Sequence, residues 1–148
     1  DSPWTNVIVN DHLELSLVHE AGQQLRFLQP MDFPKMGRSV VELNEIAIEN
    51  LRRITSDSKP FFHRGVYLVE KGDGFDASRA LIAEEWFPDS QGLFIAMPSR
   101  DSLWIFPRIG KEKLPDGLRL AMGKAYTKLP YPLSGQWFLS QQGQLSLA

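Results

Sequence analysis

The chain has 148 residues, 43% hydrophobic and 23% charged, with a net charge of −2 and no cysteine. That length and composition fit one soluble globular domain able to bury a sizeable core. They exclude disulfides and thiolate chemistry, the roughly 18–20-residue apolar run of a membrane span, and the strong basic excess of a nucleic-acid binder.

Val7-Ile8-Val9 predicts a short strand before Asn10-Asp11. Leu13, Leu15 and Leu17 alternate with Glu14 and Ser16, the period of a half-buried strand. His19 to Gln24, with Gly22, reads as a turn, and Leu25 to Leu28 as the return strand. Residues 39–54 give the clearest helix. Ser39 and Glu42 make an S-x-x-E capping box. Val40, Leu43, Ala47, Leu51 and Ile54 share one face, and Glu42, Glu45, Glu49, Arg52 and Arg53 fall on the opposite arc. Acids come early and bases late, as the helix dipole favours, and Glu49 precedes Arg53 by four residues. Val41, Ile46 and Ile48 widen the apolar arc beyond one packing surface. The excess predicts a flank for a second copy or for an upstream region.

Phe61 to Val69 reads as one strand. Asp76 caps, through its side-chain oxygen, a helix over Ala77 to Phe87 that Pro88 closes. Leu93 to Met97 and Leu103 to Phe106 predict two strands joined by residues 98–102. Leu103-Trp104-Ile105-Phe106 is apolar throughout, which marks a central strand covered on both faces. Pro115-Asp116 open the last helix, with Leu118, Ala121, Met122, Ala125, Tyr126 and Leu129 as its inward stripe. Gln136 to Leu139 and Gln144 to Leu147 form a terminal hairpin around Gln142-Gly143. The expected architecture is a single α+β domain over residues 1–148. It has a mixed or antiparallel sheet with helices on one face. From residue 61 the order β-α-β-β-α-β matches the ferredoxin-like split βαβ, preceded by an N-terminal β-hairpin and helix.

Several of these segments carry a resemblance. They are Leu25-Arg26-Phe27-Leu28, the helix end Glu49-Asn50-Leu51-Arg52-Arg53, and Gly72-Asp73-Gly74-Phe75-Asp76-Ala77-Ser78-Arg79. With them go the hairpin through Met97-Pro98-Ser99-Arg100-Asp101 and the closing 137–145 segment. In this order they resemble the YtpQ-like family of uncharacterised bacterial proteins, a domain of unknown function. The resemblance implies a bacterial, cytoplasmic protein and supplies no activity, cofactor or catalytic residue. Family members are commonly longer at the N-terminus. The opening Asp1-Ser2-Pro3-Trp4 has no initiator Met and no signal-peptide pattern. Together these suggest the C-terminal part of a larger polypeptide, or a shorter relative.

The candidate polar cluster is Asp73, Asp76, Arg79 and Asp101. The Asp73 and Asp76 carboxylates lack the D-x-[DN]-x-[DN]-G spacing of a calcium loop, and turn and cap roles suit them better. Arg79 stands in a helix's first turn, against the dipole, so Asp73, Asp76 or Asp101 should compensate it. With Ser78 it forms a weaker candidate for an anion site. Ser99, Arg100 and Asp101 read as ordinary hairpin-tip chemistry. His12, His19 and His63 show neither metal spacing nor a nucleophile motif. No metal, cofactor or catalytic residue is expected. Residues 100–130 hold Arg100, Arg108, Lys111, Lys113, Arg119, Lys124 and Lys128 against Asp101, Glu112 and Asp116. This is a solvated helix face, or a surface for an acidic partner or for self-association. The sequence thus points to a non-enzymatic binding or interaction module, with a protein partner or self-association and neither nucleic acid nor membrane. The alternative is a small hydrolase-like enzyme with an acidic site near Asp73, Asp76, Arg79 and Asp101.

Overall fold

Residues 1–54 and 55–148 form two units in the computed structural model, which describes residues 6–10, 13–22 and 24–148. Trp4 and His12, noted in the sequence, lie outside the described residues. Length alone suggested one domain; the strand pairing is closed within each unit.

In the first unit β1 (Asn6–Asn10) pairs antiparallel with β2 (Leu13–Ser16). Next, β3 (Val18–Ala21) pairs with β4 (Gln24–Phe27), from Val18 opposite Phe27 to Ala21 opposite Gln24. The turn expected over His19 to Gln24 therefore contracts to the tip around Gly22, and His19 joins a strand. Backbone pairing of residues 18–21 outcompetes the local turn signal. A 3-10 turn (Pro30–Asp32) and the one-turn α1 (Phe33–Met36) follow, stopped by Gly37 at φ 64°. α2 (Val40–Thr55) starts where the capping box placed it. The Glu42 N–H donates to Ser39 Oγ at 3.1 Å, and the Ser39 hydroxyl donates to Glu42 Oε1 at 3.2 Å. Leu17, Leu28 and Leu43 form a small buried cluster with Phe33 against it. Val41 stays 66% exposed and Ile46 39%.

The second unit is a six-stranded sheet, all antiparallel, in the order β10-β9-β7-β8-β6-β5. Its strands are β5 (Phe61–His63), β6 (Val66–Val69), β7 (Leu93–Ser99), β8 (Ser102–Pro107), β9 (Trp137–Gln141) and β10 (Gln144–Leu147). α3 (Asp116–Lys128) opens after Pro115, as the sequence predicted. β8 lies between β7 and β6 with Leu103 and Ile105 wholly buried, so it is the central, two-sided strand expected.

The strand expected over residues 61–69 is a hairpin. Arg64 (φ 50°) and Gly65 (φ 87°) turn it, a two-residue connection with the primed-turn geometry that suits strand twist. That hairpin also overturns the ferredoxin-like order. A split βαβ would seat the closing strand beside β6, but β5 already occupies that side. The closing strand β9 instead pairs with β7.

Helices on one face were expected, yet both faces are covered. Alternation sends Val66, Leu68, Phe94, Ala96 and Trp137 to one face, where they pack with Leu114, Leu118 and Met122 of α3 and its approach. The other face carries Ile95, Ile105 and Phe138, cross-strand neighbours that are wholly buried. Tyr67, paired with Ile105, lies on that face too, and its ring meets Phe87 edge-on at 5.0 Å. Phe87 ends the helix Ala77–Trp86, which packs on β7 and β8. The sheet is thus sandwiched between this helix and α3.

Candidate functional site

The Gly72–Arg79 segment builds the candidate site. Gly72 (φ 79°) and Gly74 (φ 86°) hold left-handed backbone that side-chain-bearing residues resist. Between them Asp73 accepts the Phe75 N–H at 3.0 Å, closing an Asx turn. The expected helix follows, over Ala77–Trp86, and it is 3-10 for all ten residues. With three residues per turn, every third side chain eclipses. Ala77, Ala80 and Ala83 form one buried column, while Ser78 and Leu81 face outward in another. Small residues at period three let this helix lie close to the sheet.

Asp76 does not cap the helix with its side chain, contrary to expectation. Its carboxylate turns back and accepts the N–H groups of Lys71 (3.0 Å) and Gly72 (2.8 Å). Arg79 meets the demand that the dipole created. Nη2 donates to Asp73 Oδ2 at 2.6 Å and Nη1 to Asp73 Oδ1 at 2.9 Å, a bidentate pair. Nη1 also donates to Asp76 Oδ1 at 2.9 Å, and Nε to Thr55 Oγ1 at 2.8 Å. The Arg79 and Asp76 side chains are wholly buried, and Asp73 is 27% exposed. The Arg79 guanidinium holds the Asp73 carboxyl below the usual range, and that carboxylate in turn raises the pKa of Arg79.

Asp73, Asp76 and Arg79 are therefore brought together; Asp101 is not bonded to them. Asp101 pairs with its neighbour Arg100, whose Nε and Nη2 each donate at 3.2 Å. The Arg100 guanidinium also lies 3.8 Å from the centre of the Tyr131 ring, a cation–π contact. Ser99, 1% exposed, donates to the Pro130 carbonyl at 2.6 Å. The hairpin tip meets the Gly72–Arg79 segment through backbone, the Ala77 N–H donating to the Arg100 carbonyl at 3.1 Å.

Sequence reasoning missed two participants. Thr55 falls just past the helix expected over 39–54, and its burial (5% exposed) with the bond from Arg79 Nε makes it an Arg79 partner. Tyr131 has no local signal beyond its place in Pro130-Tyr131-Pro132. The 3-10 column did have a signal, alanine at every third position from 77 to 83.

Chemically, the cluster is a saturated ion-pair network. Among the described residues no group of three His, Cys, Asp or Glu is placed to hold a metal ion, and no helix is long and apolar enough to cross a membrane. A shallow, open groove runs along α2, lined by Val41, Asn44, Glu45, Ile48, Glu49 and Arg52. No family model matches the chain, and neither a curated protein nor a solved structure is significantly similar to it.

Proposed function

We propose that this chain is a non-enzymatic binding or interaction module, and, on the sequence resemblance, a cytoplasmic member of the YtpQ-like bacterial family. The observation that carries the non-enzymatic reading is the state of the acids in the candidate cluster. A general acid or base needs a titration near working pH and a free lone pair or proton for substrate. Asp76 has no solvent-exposed surface and spends its oxygens on two backbone N–H groups and Arg79. Asp73 is held ionised by the same guanidinium. Such a network fixes a turn and leaves little for a substrate, which counts against the hydrolase-like alternative. The interaction side of the reading rests on apolar groups left in solvent, Val41 on α2 and Leu120 on α3 among them, at 66% and 64% exposed.

The test is affinity capture from bacterial lysate with the intact chain as bait, run beside a hydrolase panel of ester, phosphoester, glycoside and peptide substrates. A stoichiometric partner retained after a salt wash, with no turnover, is the expected result. Turnover abolished by Asp73→Asn in a protein with an unchanged circular dichroism spectrum would overturn it.

A further inference from the structure

We infer that the outward face of α3, with the loop leading into it, is a docking surface for an acidic segment of a partner protein. This rests on the interaction-module reading and names the surface and the partner's chemistry. Over residues 108–128 six cations (Arg108, Lys111, Lys113, Arg119, Lys124 and Lys128) accompany only Glu112 and Asp116, in a chain whose net charge is −2. Their surplus is not neutralised in place. Elsewhere in this unit Arg79, Lys71 and Arg100 each hold a carboxylate. Among the described residues Lys111, Lys113, Arg119, Lys124 and Lys128 pair with none. Glu112 spends a carboxylate oxygen on the Ile109 N–H at 2.9 Å.

The helix dipole explains part of this pattern. Lys128 belongs in the last turn and Asp116 in the first. It does not explain Arg119, one turn from the N-terminus, or the lysines of the loop before the helix. Nor does it explain Leu120. α3 buries Leu118 and Met122 against the sheet, and at 100° per residue Leu120 falls on the opposite side. It is 64% exposed and begins the ridge Leu120, Lys124, Lys128 at i, i+4, i+8. An apolar contact rimmed by uncompensated cations fits a segment that carries Asp or Glu around one apolar side chain, with the field steering encounter. A lipid surface fits less well, because the apolar face of α3 is consumed by the core and only Leu120, Tyr126 and Ile109 of its approach remain exposed to insert. A nucleic acid fits less well against a chain that is acidic overall.

The probe is a fluorescein-labelled synthetic peptide of alternating Glu and Asp with a leucine at every fourth position, titrated with the full chain and read by anisotropy. Binding is expected, at least about tenfold weaker for Lys124→Glu/Lys128→Glu and several-fold weaker for Leu120→Ser. All these positions are exposed, so the circular dichroism melts should not move. Raising salt from about 0.1 M to about 1 M shortens the screening length from about 10 Å to about 3 Å and should release the peptide. The inference is overturned if the peptide fails to bind or if the charge reversal leaves its affinity unchanged. Tighter binding of anionic vesicles or a DNA duplex through these lysines, or a salt-sensitive self-association that occupies this face, would also overturn it. A partner captured from lysate and crosslinked to another face would defeat this surface while leaving the interaction-module reading intact.

Discussion

Replacing Arg79 with methionine should destabilise the second unit by about 3–5 kcal/mol, the range for removing one partner of a buried ion pair. Methionine keeps an apolar stem in the same space, so the change removes charge and donors with little cavity. Four hydrogen bonds go with it, to Thr55, to both oxygens of Asp73 and to Asp76. The cost does not divide evenly. Asp73 is 27% exposed, and water can replace the lost guanidinium there. Asp76 is wholly buried and keeps only the Lys71 and Gly72 N–H groups, so most of the penalty lies in its uncompensated charge. Urea unfolding with the slope held common gives the loss directly. A double-mutant cycle then apportions it. Arg79→Met with Asp76→Asn should couple by about 0.5–3 kcal/mol, whereas Arg79→Ala with Asp101→Ala should add within about 0.3–0.5 kcal/mol, because Asp101 is bonded to Arg100. A loss under about 1 kcal/mol for Arg79→Met, or coupling to Asp101, would refute the reasoning. The Asp73 pKa is depressed in the folded state, so its contribution is present above the unfolded Asp value of about 3.9. It is lost as pH falls through the lower folded value. Arg79→Met should flatten that acid limb.

Ile105→Ala in the central strand should cost about 2–5 kcal/mol in the same melts; under about 1 kcal/mol would mean that β8 is not packed on both sides. Ser39→Ala should cost about 0.5–2 kcal/mol, measured as a drop in thermal midpoint. An unchanged midpoint would mean that the 3.1 Å bond from the Glu42 N–H adds nothing. Trp137→Phe should cost under about 1 kcal/mol although Trp137 is only 2% exposed, because its buried Nε1–H has no hydrogen-bond partner among the described residues and an orphaned donor carries a penalty of about 1–3 kcal/mol. A loss comparable to Trp→Ala values of about 3–5 kcal/mol would show that the donor is satisfied.

What the sequence revealed follows a physical divide. Local signals translated well. The Ser39-Glu42 box, Pro115 before α3, Gln142-Gly143 and the all-apolar 103–106 run each depend on a few neighbouring residues, and each appears where expected. Pairing choices translated poorly. The return of residues 13–16 to 6–10, while 18–21 take 24–27, is a competition between strands that periodicity cannot rank. The Arg64-Gly65 turn lies between two short runs of strand formers, Phe61-Phe62 and Val66 to Val69, that read together as one strand, and that one miss propagated into the sheet order. The helix over residues 77–87 was legible from its flanking Asp76 and Pro88, but its 3-10 type was not, because those boundary signals do not depend on helix period.

The site shows the same divide at the scale of single side chains. Arg79 was legible as a cation in an uncomfortable position, and its need for a carboxylate followed from charge alone. Which carboxylate it takes is a matter of reach. Asp73 and Asp76 lie on the turn that Gly72 and Gly74 permit, within the arc of one guanidinium. Asp101 lies on a hairpin tip whose backbone, not its side chain, faces the helix. The two most distinctive segments of the chain do meet, through the Ala77–Arg100 main-chain hydrogen bond and through the Arg100 side chain, whose Nε lies 3.9 Å from where a Cβ on Gly74 would stand. Their side-chain hydrogen bonds and ion pairs nevertheless close within each segment and its own neighbours. The 72–79 segment needs glycines for its backbone and acids to hold a buried arginine. The 97–101 segment needs Ser99 to tie the Pro130 carbonyl, and Arg100 to stack on Tyr131. A cluster that looked like candidate chemistry is thus accounted for as the fastening of a 3-10 helix to a sheet. The cations of α3 around Leu120, which pair with no carboxylate among the described residues, stand with α3 on the opposite side of the sheet, where the acids of the proposed partner would meet them unspent.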